Sequence, residues 1–167
     1  MKPRHTQPKV IRGNPLLKEQ IHDPYRARGK YPEPTRCSGC GAVYRKGRWQ
    51  WLDEVPADAR EAHCPACRRI EDKYPAGEII VSGGFVAAHA DEVRQLVRNT
   101  EEAENREHPL HRIMDIRQDE DVITVTTTDV HLPRRIGHAL EDAWDGELET
   151  HYDEEGSFAR VTWRRLQ

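Results

Sequence analysis

Two Cys-x-x-Cys pairs, Cys37-Ser38-Gly39-Cys40 and Cys64-Pro65-Ala66-Cys67, stand twenty-three residues apart and account for all four cysteines of the 167-residue chain. Pairs of this kind fold back on each other and present four thiolates to one tetrahedral ion, the arrangement of a structural zinc ribbon. Two intervening residues let the chain reverse around the ion, with Gly39 and Gly41 relaxing the turn and Pro65 stiffening it. Soft thiolates and tetrahedral geometry suit zinc, and they also fit iron. Disulfides or free buried thiols are the competing uses, but nothing else in the sequence suggests an oxidising compartment. Four protein ligands leave no position for water or substrate, so the expected Zn2+ is one structural site held by Cys37, Cys40, Cys64 and Cys67.

A ribbon uses only part of the chain, so a second unit with its own core is expected beside it. Its boundary falls at Tyr74-Pro75-Ala76-Gly77, a chain-breaking run. The expected organisation is a basic, proline-containing arm over residues 1–34, a four-cysteine ribbon over 35–75 and an α+β unit over 76–167. No apolar run approaches a membrane span, and the basic N-terminal stretch lacks the apolar core of a signal peptide. A cytoplasmic protein with no membrane partner is expected.

The net charge of -3 conceals a polarised chain. Residues 1–50 carry twelve Lys or Arg against Glu19, Asp23 and Glu33, about +9, and the remainder carries fourteen against twenty-six acids, about -12. The basic third can meet a polyanion while the acidic part faces solvent or a protein partner; alternatively, the two parts simply attract each other. Arg26, Arg28 and Lys30 of the arm, and Arg45, Lys46 and Arg48 of a hairpin expected to turn at Lys46-Gly47, are the candidate phosphate contacts. Tyr31 and Trp49 are the candidate rings for stacking on a base. The bland alternative places Trp49 and Trp51 in a small ribbon core and uses the tyrosines to strap the arm down. Residues 53–62 are expected to form a short acidic connector, with helix as one possibility.

Beyond the boundary, Glu78 to Val86 has the pattern of a strand with a glycine irregularity, and Val93, Leu96, Val97, Thr100 and Ala103 recur at helical spacing between 90 and 107. Strands over 112–117 and 122–127 follow, then a helix capped by Thr128 or Asp129 with Pro133 in its first turn, and a terminal hairpin. The order is strand, helix, strand, strand, helix, strand and one extra strand: a ferredoxin-like βαββαβ sandwich with an added C-terminal strand. That architecture serves RNA-binding modules, enzymes and sensors alike. The aromatic signature of an RNA-recognition motif is absent from its central strands.

Nine histidines raise the possibility of acid–base or metal chemistry, with His108, His111, His131 and His138 as the pairs able to meet. Neither pair lies in a motif such as His-Glu-x-x-His, and no serine occupies a nucleophile elbow. A hydrolase with a histidine–carboxylate site near His108, His111 or His131 is therefore the third expectation, behind a non-enzymatic RNA- or ribosome-associated factor and a protein-interaction adaptor.

The segments Cys37-Ser38-Gly39-Cys40-Gly41, Arg45-Lys46-Gly47-Arg48-Trp49, Cys64-Pro65-Ala66-Cys67, Lys73-Tyr74-Pro75-Ala76-Gly77, His108-Pro109-Leu110-His111-Arg112-Ile113 and Thr126-Thr127-Thr128-Asp129 resemble a family of small bacterial zinc-ribbon proteins. That family is labelled as an NMD-type protein affecting ribosome stability and mRNA decay, after the likeness of its ribbon to the archaeal and eukaryotic large-subunit export adaptor. The resemblance to the bacterial group covers about residues 23–167, and that to the adaptor covers the ribbon alone. It implies a ribosome or RNA partner and carries the metal role onto Cys37, Cys40, Cys64 and Cys67. With one four-cysteine site and none of the adaptor's further domains, the chain inherits no export role.

Overall fold

The computed structural model of the chain describes Tyr25 and residues 31–167. Two sheets organise them. The first is built from β1 (Thr35–Cys37), β2 (Val43–Arg45), β3 (Arg48–Gln50) and β4 (Arg60–Ala62) in the order β3-β2-β1-β4. The expected hairpin is β2–β3, and Lys46 and Gly47 both hold positive φ, 53° and 77°, as a type I′ turn requires. The acidic connector is not helical: it ends in β4, which pairs parallel with β1 through Thr35↔Arg60 and Cys37↔Ala62. Pro56 interrupts any helical ladder there, while the edge of β1 offers unpaired backbone groups to close on.

The second cysteine pair opens a helix that sequence patterning did not disclose, α1 (Pro65–Asp72). Cys64 is its cap, with the sulfur accepting from the Cys67 amide at 3.3 Å, and Pro65 occupies the first turn, where a missing N–H costs nothing. Lys73 ends it in the left-handed conformation at φ 53°.

The second sheet contains β5 (Gly77–Ser82), β6 (Ile113–Asp119), β7 (Val122–Thr127), β8 (Glu147–Tyr152) and β9 (Ala159–Arg164) in the order β6-β7-β5-β9-β8. Between them lie α2 (Gly84–Ala88), α3 (Ala90–Glu107) and α4 (Leu132–Ala143). Strict alternation sorts the strand faces: Ile79, Val81, Ile123, Val125, Val161 and Trp163 turn inward, where Val93 and Val97 of α3 and Ile136 and Leu140 of α4 meet them. Gly137 lets α4 approach closely, since a Cβ there would lie 2.8 Å from Leu148 and 3.0 Å from Val161. The strand β7 separates β5 from β6, and the last strand enters between β5 and β8, parallel to β5.

The strand expected to run from Glu78 to Val86 stops at Ser82, because Gly83 takes φ 113° and turns the chain into α2, which buries Phe85 and Val86. Gly83 is fixed by space as well as by φ: a Cβ would lie 1.9 Å from the Arg165 carbonyl oxygen. Gly83→Ala is expected to cost roughly 2–5 kcal/mol from backbone strain and overpacking, read as a lower urea midpoint at unchanged slope. Among the described residues no helix is long and apolar enough to cross a membrane.

Candidate metal centre and its surroundings

The knuckle at the end of β1 and the start of α1 bring the sulfurs of Cys37, Cys40, Cys64 and Cys67 within 4.8 Å of one another. Cys37 and Cys67 are 3.7 Å apart and Cys40 and Cys64 3.8 Å, and none is in a disulfide. A tetrahedral ion with metal–sulfur bonds of about 2.3 Å separates its ligand sulfurs by about 3.8 Å, so the donor set fits a four-coordinate metal. The backbone supports it: the Cys64 amide donates to the Cys37 sulfur at 3.2 Å, and the Cys37 amide donates to the Ala42 carbonyl at 2.7 Å. Gly39 is required by crowding, since a Cβ there would lie 2.9 Å from the Cys67 sulfur.

Electrostatics divide the sulfurs. The hydrogen bond from Cys64 lowers Cys40 to about 5 against the opposing effect of burial, while the same bond, with burial, pushes Cys64 up. Burial raises Cys67, opposed by a hydrogen bond from Arg112, whose Nη1 donates to the Cys67 sulfur at 3.0 Å. Arg112 lies just before β6, so a side chain attached to the second sheet reaches the cysteine cluster of the first.

The hairpin tip beside this centre exposes Arg45, Lys46 and Arg48, and among the described residues no carboxylate pairs with them. Glu33 approaches the tip only by accepting from the Gly47 amide at 2.7 Å. The rings expected to stack on bases are used differently. Trp49 is 9% exposed and packs against Tyr31 and Tyr44 with centroids 5.1 and 5.5 Å away, forming with Ala42 and Ala66 the small core beneath the cysteines. Three-residue strands have few other apolar groups to bury, which is why these rings turn inward. Trp51 remains 40% exposed, and its Nε1 donates to the Asn105 carbonyl at 2.7 Å. Tyr25 is buried against α1, its ring under the Arg69 guanidinium at 4.3 Å and its hydroxyl donating to Asp72 at 2.7 Å. Arg26, Arg28 and Lys30 lie outside the described residues, as does most of the basic arm.

Three of the singled-out histidines do assemble. The His108 and His111 rings stack with centroids 4.6 Å apart, and His131 lies 5.6 Å from His111. His111 sits between two carboxylates, with Nδ1 3.1 Å from Glu104 and Nε2 3.4 Å from Asp129. Burial raises the Asp129 carboxyl, while the charge of His111 and the amides of His131 and Leu132 draw it down. The residue that caps α4 is His131 and not Thr128 or Asp129. The Asp129 carboxylate, two residues earlier, accepts from the His131 amide at 2.8 Å and the Leu132 amide at 3.2 Å, so both nitrogens of His111 are engaged in joining α3 to the lead-in of that helix. A cleft of about 460 Å³ opens alongside, lined by residues from both sheets' flanks including Ala66, Arg69, His111, Asp129 and His131. His138, farther along α4, lines a separate depression together with His131, Arg134 and Arg135. His63 is on the surface, 3.3 Å from Glu71.

No family model, curated protein or solved structure matches the chain.

Proposed function

We propose that this protein is a non-enzymatic, zinc-stabilised factor that associates with RNA or the ribosome. The observation that carries this reading is the hairpin tip, where Arg45, Lys46 and Arg48 stand exposed on a rigid turn with no carboxylate partner among the described residues. Cations fixed in this way approach a phosphate backbone without first breaking an internal ion pair. Zinc is the ion proposed for Cys37, Cys40, Cys64 and Cys67, because a closed four-thiolate shell is a structural site and the cytoplasm proposed for the chain keeps such thiols reduced. In this scheme the cysteine-bearing sheet is a zinc ribbon, the five-stranded sheet is a ferredoxin-like sandwich with one strand inserted, and the acidic sandwich faces solvent or a protein partner. The inward packing of Tyr31 and Trp49 supports contact through phosphates in place of base stacking. Arg26, Arg28 and Lys30 would extend the same contact.

Sedimentation of the tagged protein in cell lysate, at low and high salt and with an RNase control, tests the reading: salt-sensitive migration with ribosomal particles is expected. Replacing Arg45, Lys46 and Arg48 together with glutamine should weaken RNA binding and make its log–log salt slope shallower by about two to three, one phosphate contact per lost cation. Unchanged affinity and slope in that variant would point to a protein-interaction adaptor.

A further inference from the structure

Arg112 holds a position that its place in the sequence does not explain. Its backbone is clamped at the end of β7: the Arg112 amide donates to Thr128 Oγ1 at 3.0 Å, the Thr128 amide donates to the Arg112 carbonyl at 2.9 Å, and Thr128 Oγ1 donates to the Leu110 carbonyl at 2.6 Å. Asn105 steadies the same loop from α3, its amide donating to the Pro109 carbonyl at 3.2 Å. From this rigid base two side chains cross to the first sheet. Leu110 packs on the small core that contains Cys37, Cys64, Trp49 and Ala66, and the Arg112 guanidinium reaches the Cys67 sulfur at 3.0 Å.

Four thiolates around a divalent ion carry a net charge of about -2, and a half-buried site has little water to screen it. A guanidinium donating to one sulfur offsets part of that charge and fixes the ligand's orientation, as outer-shell partners of metal ligands do. We propose that Arg112 is the counter-charge of the four-sulfur centre, so that metal retention in the first sheet and docking of the second sheet form one coupled equilibrium. Coupling of this kind is reciprocal: whatever factor docking adds to metal affinity, the metal adds to docking. The metal centre would then hold not only its own knuckles but also the angle at which the cationic hairpin is presented. The inference rests on the zinc reading above, and the two fail separately.

The test uses the full chain with Co(II) or Zn(II) as the probe, comparing wild type with Arg112→Gln and Arg112→Lys by competition against a chromophoric chelator. Arg112→Gln should bind metal 10–100-fold more weakly, and Arg112→Lys should recover part of the loss because it keeps the charge. In the Co(II) protein, removing the charged donor from sulfur should move the sulfur-to-cobalt charge-transfer band to longer wavelength. Amide protection in β5, β7 and β9 should be unchanged in both variants, while protection around Leu110 and of the Trp51 segment should fall in Arg112→Gln. Wild-type metal affinity and an unshifted band in Arg112→Gln would overturn the proposal, even if the second sheet were destabilised, because that pattern marks a purely structural arginine. Failure of the wild-type chain to bind either metal at the four cysteines would overturn the zinc reading itself.

Discussion

Cys64→Ser is expected to unfold the cysteine-bearing sheet while the five-stranded sheet stays folded. Cys64 is fully buried, caps α1 through its sulfur, and links the two knuckles of the site. Without the metal this sheet has strands of three residues and a core of a few rings and alanines, and such small units seldom hold a structure unaided. Metal binding in comparable zinc peptides supplies about 10–16 kcal/mol at neutral pH, so its loss outweighs everything else in the unit. Hydrogen exchange checks the expectation: amides of β1–β4 and α1 should lose protection while those of β5, β7 and β9 keep theirs. Chelation of the wild-type protein should reproduce the pattern. Acidification should do the same, since metal-bound sulfur must be thiolate and protons compete with the metal for it. Retained protection in β1–β4 after complete metal removal would show that the rings alone hold the sheet.

The second large effect belongs to Trp163→Ala. Trp163 is fully buried in β9, opposite Val81 of β5 and Leu148 of β8, with Phe85 edge-on at 6.0 Å. Gly146 exists to make room for it, since a Cβ there would lie 2.6 Å from the indole. Emptying this site should cost about 3–5 kcal/mol, a large part of the 5–15 kcal/mol that holds an ordinary domain. The thermal midpoint of the five-stranded unit should fall by roughly 12–40 °C, at the 4–8 °C per kcal/mol usual for its size. The site also contains a local inconsistency: among the described residues Nε1 of Trp163 finds no hydrogen-bond partner. Trp163→Phe removes that orphan N–H along with some packing, so it should be far milder than alanine. Calorimetry of both variants separates packing from polar satisfaction.

The elements most legible in the sequence were those where periodicity and punctuation agree. The apolar spacing at Val93 and Val97 located α3, Pro133 marked the first turn of α4, and Lys46-Gly47 marked the hairpin turn. The clustering of the four cysteines was legible because two short cysteine spacings constrain geometry directly. What escaped was set by tertiary contact. The helix α1 is short and charged and is fixed by a cysteine cap, a role that sulfur plays only when the knuckle is folded; Pro65 at its first turn was the signal that could have found it. The strand β4 exists only because β1 leaves an edge to pair with. Gly83 was legible as an irregularity, but its φ of 113° and the change from strand to helix depend on Arg165 pressing from the far end of the chain. Arg112 gave no sign of reaching a cysteine forty-five residues earlier. The His108–His111–His131 group was visible as a list of residues, whereas the carboxylates that hold His111 on both sides were not.

The insertion of β9 between β5 and β8 affects how the chain is made. The two central neighbours β5 and β9 are joined across 82 residues, as the Glu78–Arg160 contact measures, and they pair in parallel. A ribosome delivers β5 early and β9 late, so β5 must wait with one of its two edges open while everything between them emerges. Parallel pairing across such a separation is slow, and an unpaired apolar strand in the meantime is exposed to wrong partners. Stopping synthesis a few residues short of Trp163 would remove the middle of the sheet instead of trimming its border. Chains released early should therefore be recovered as protease-sensitive fragments and not as shortened but folded proteins.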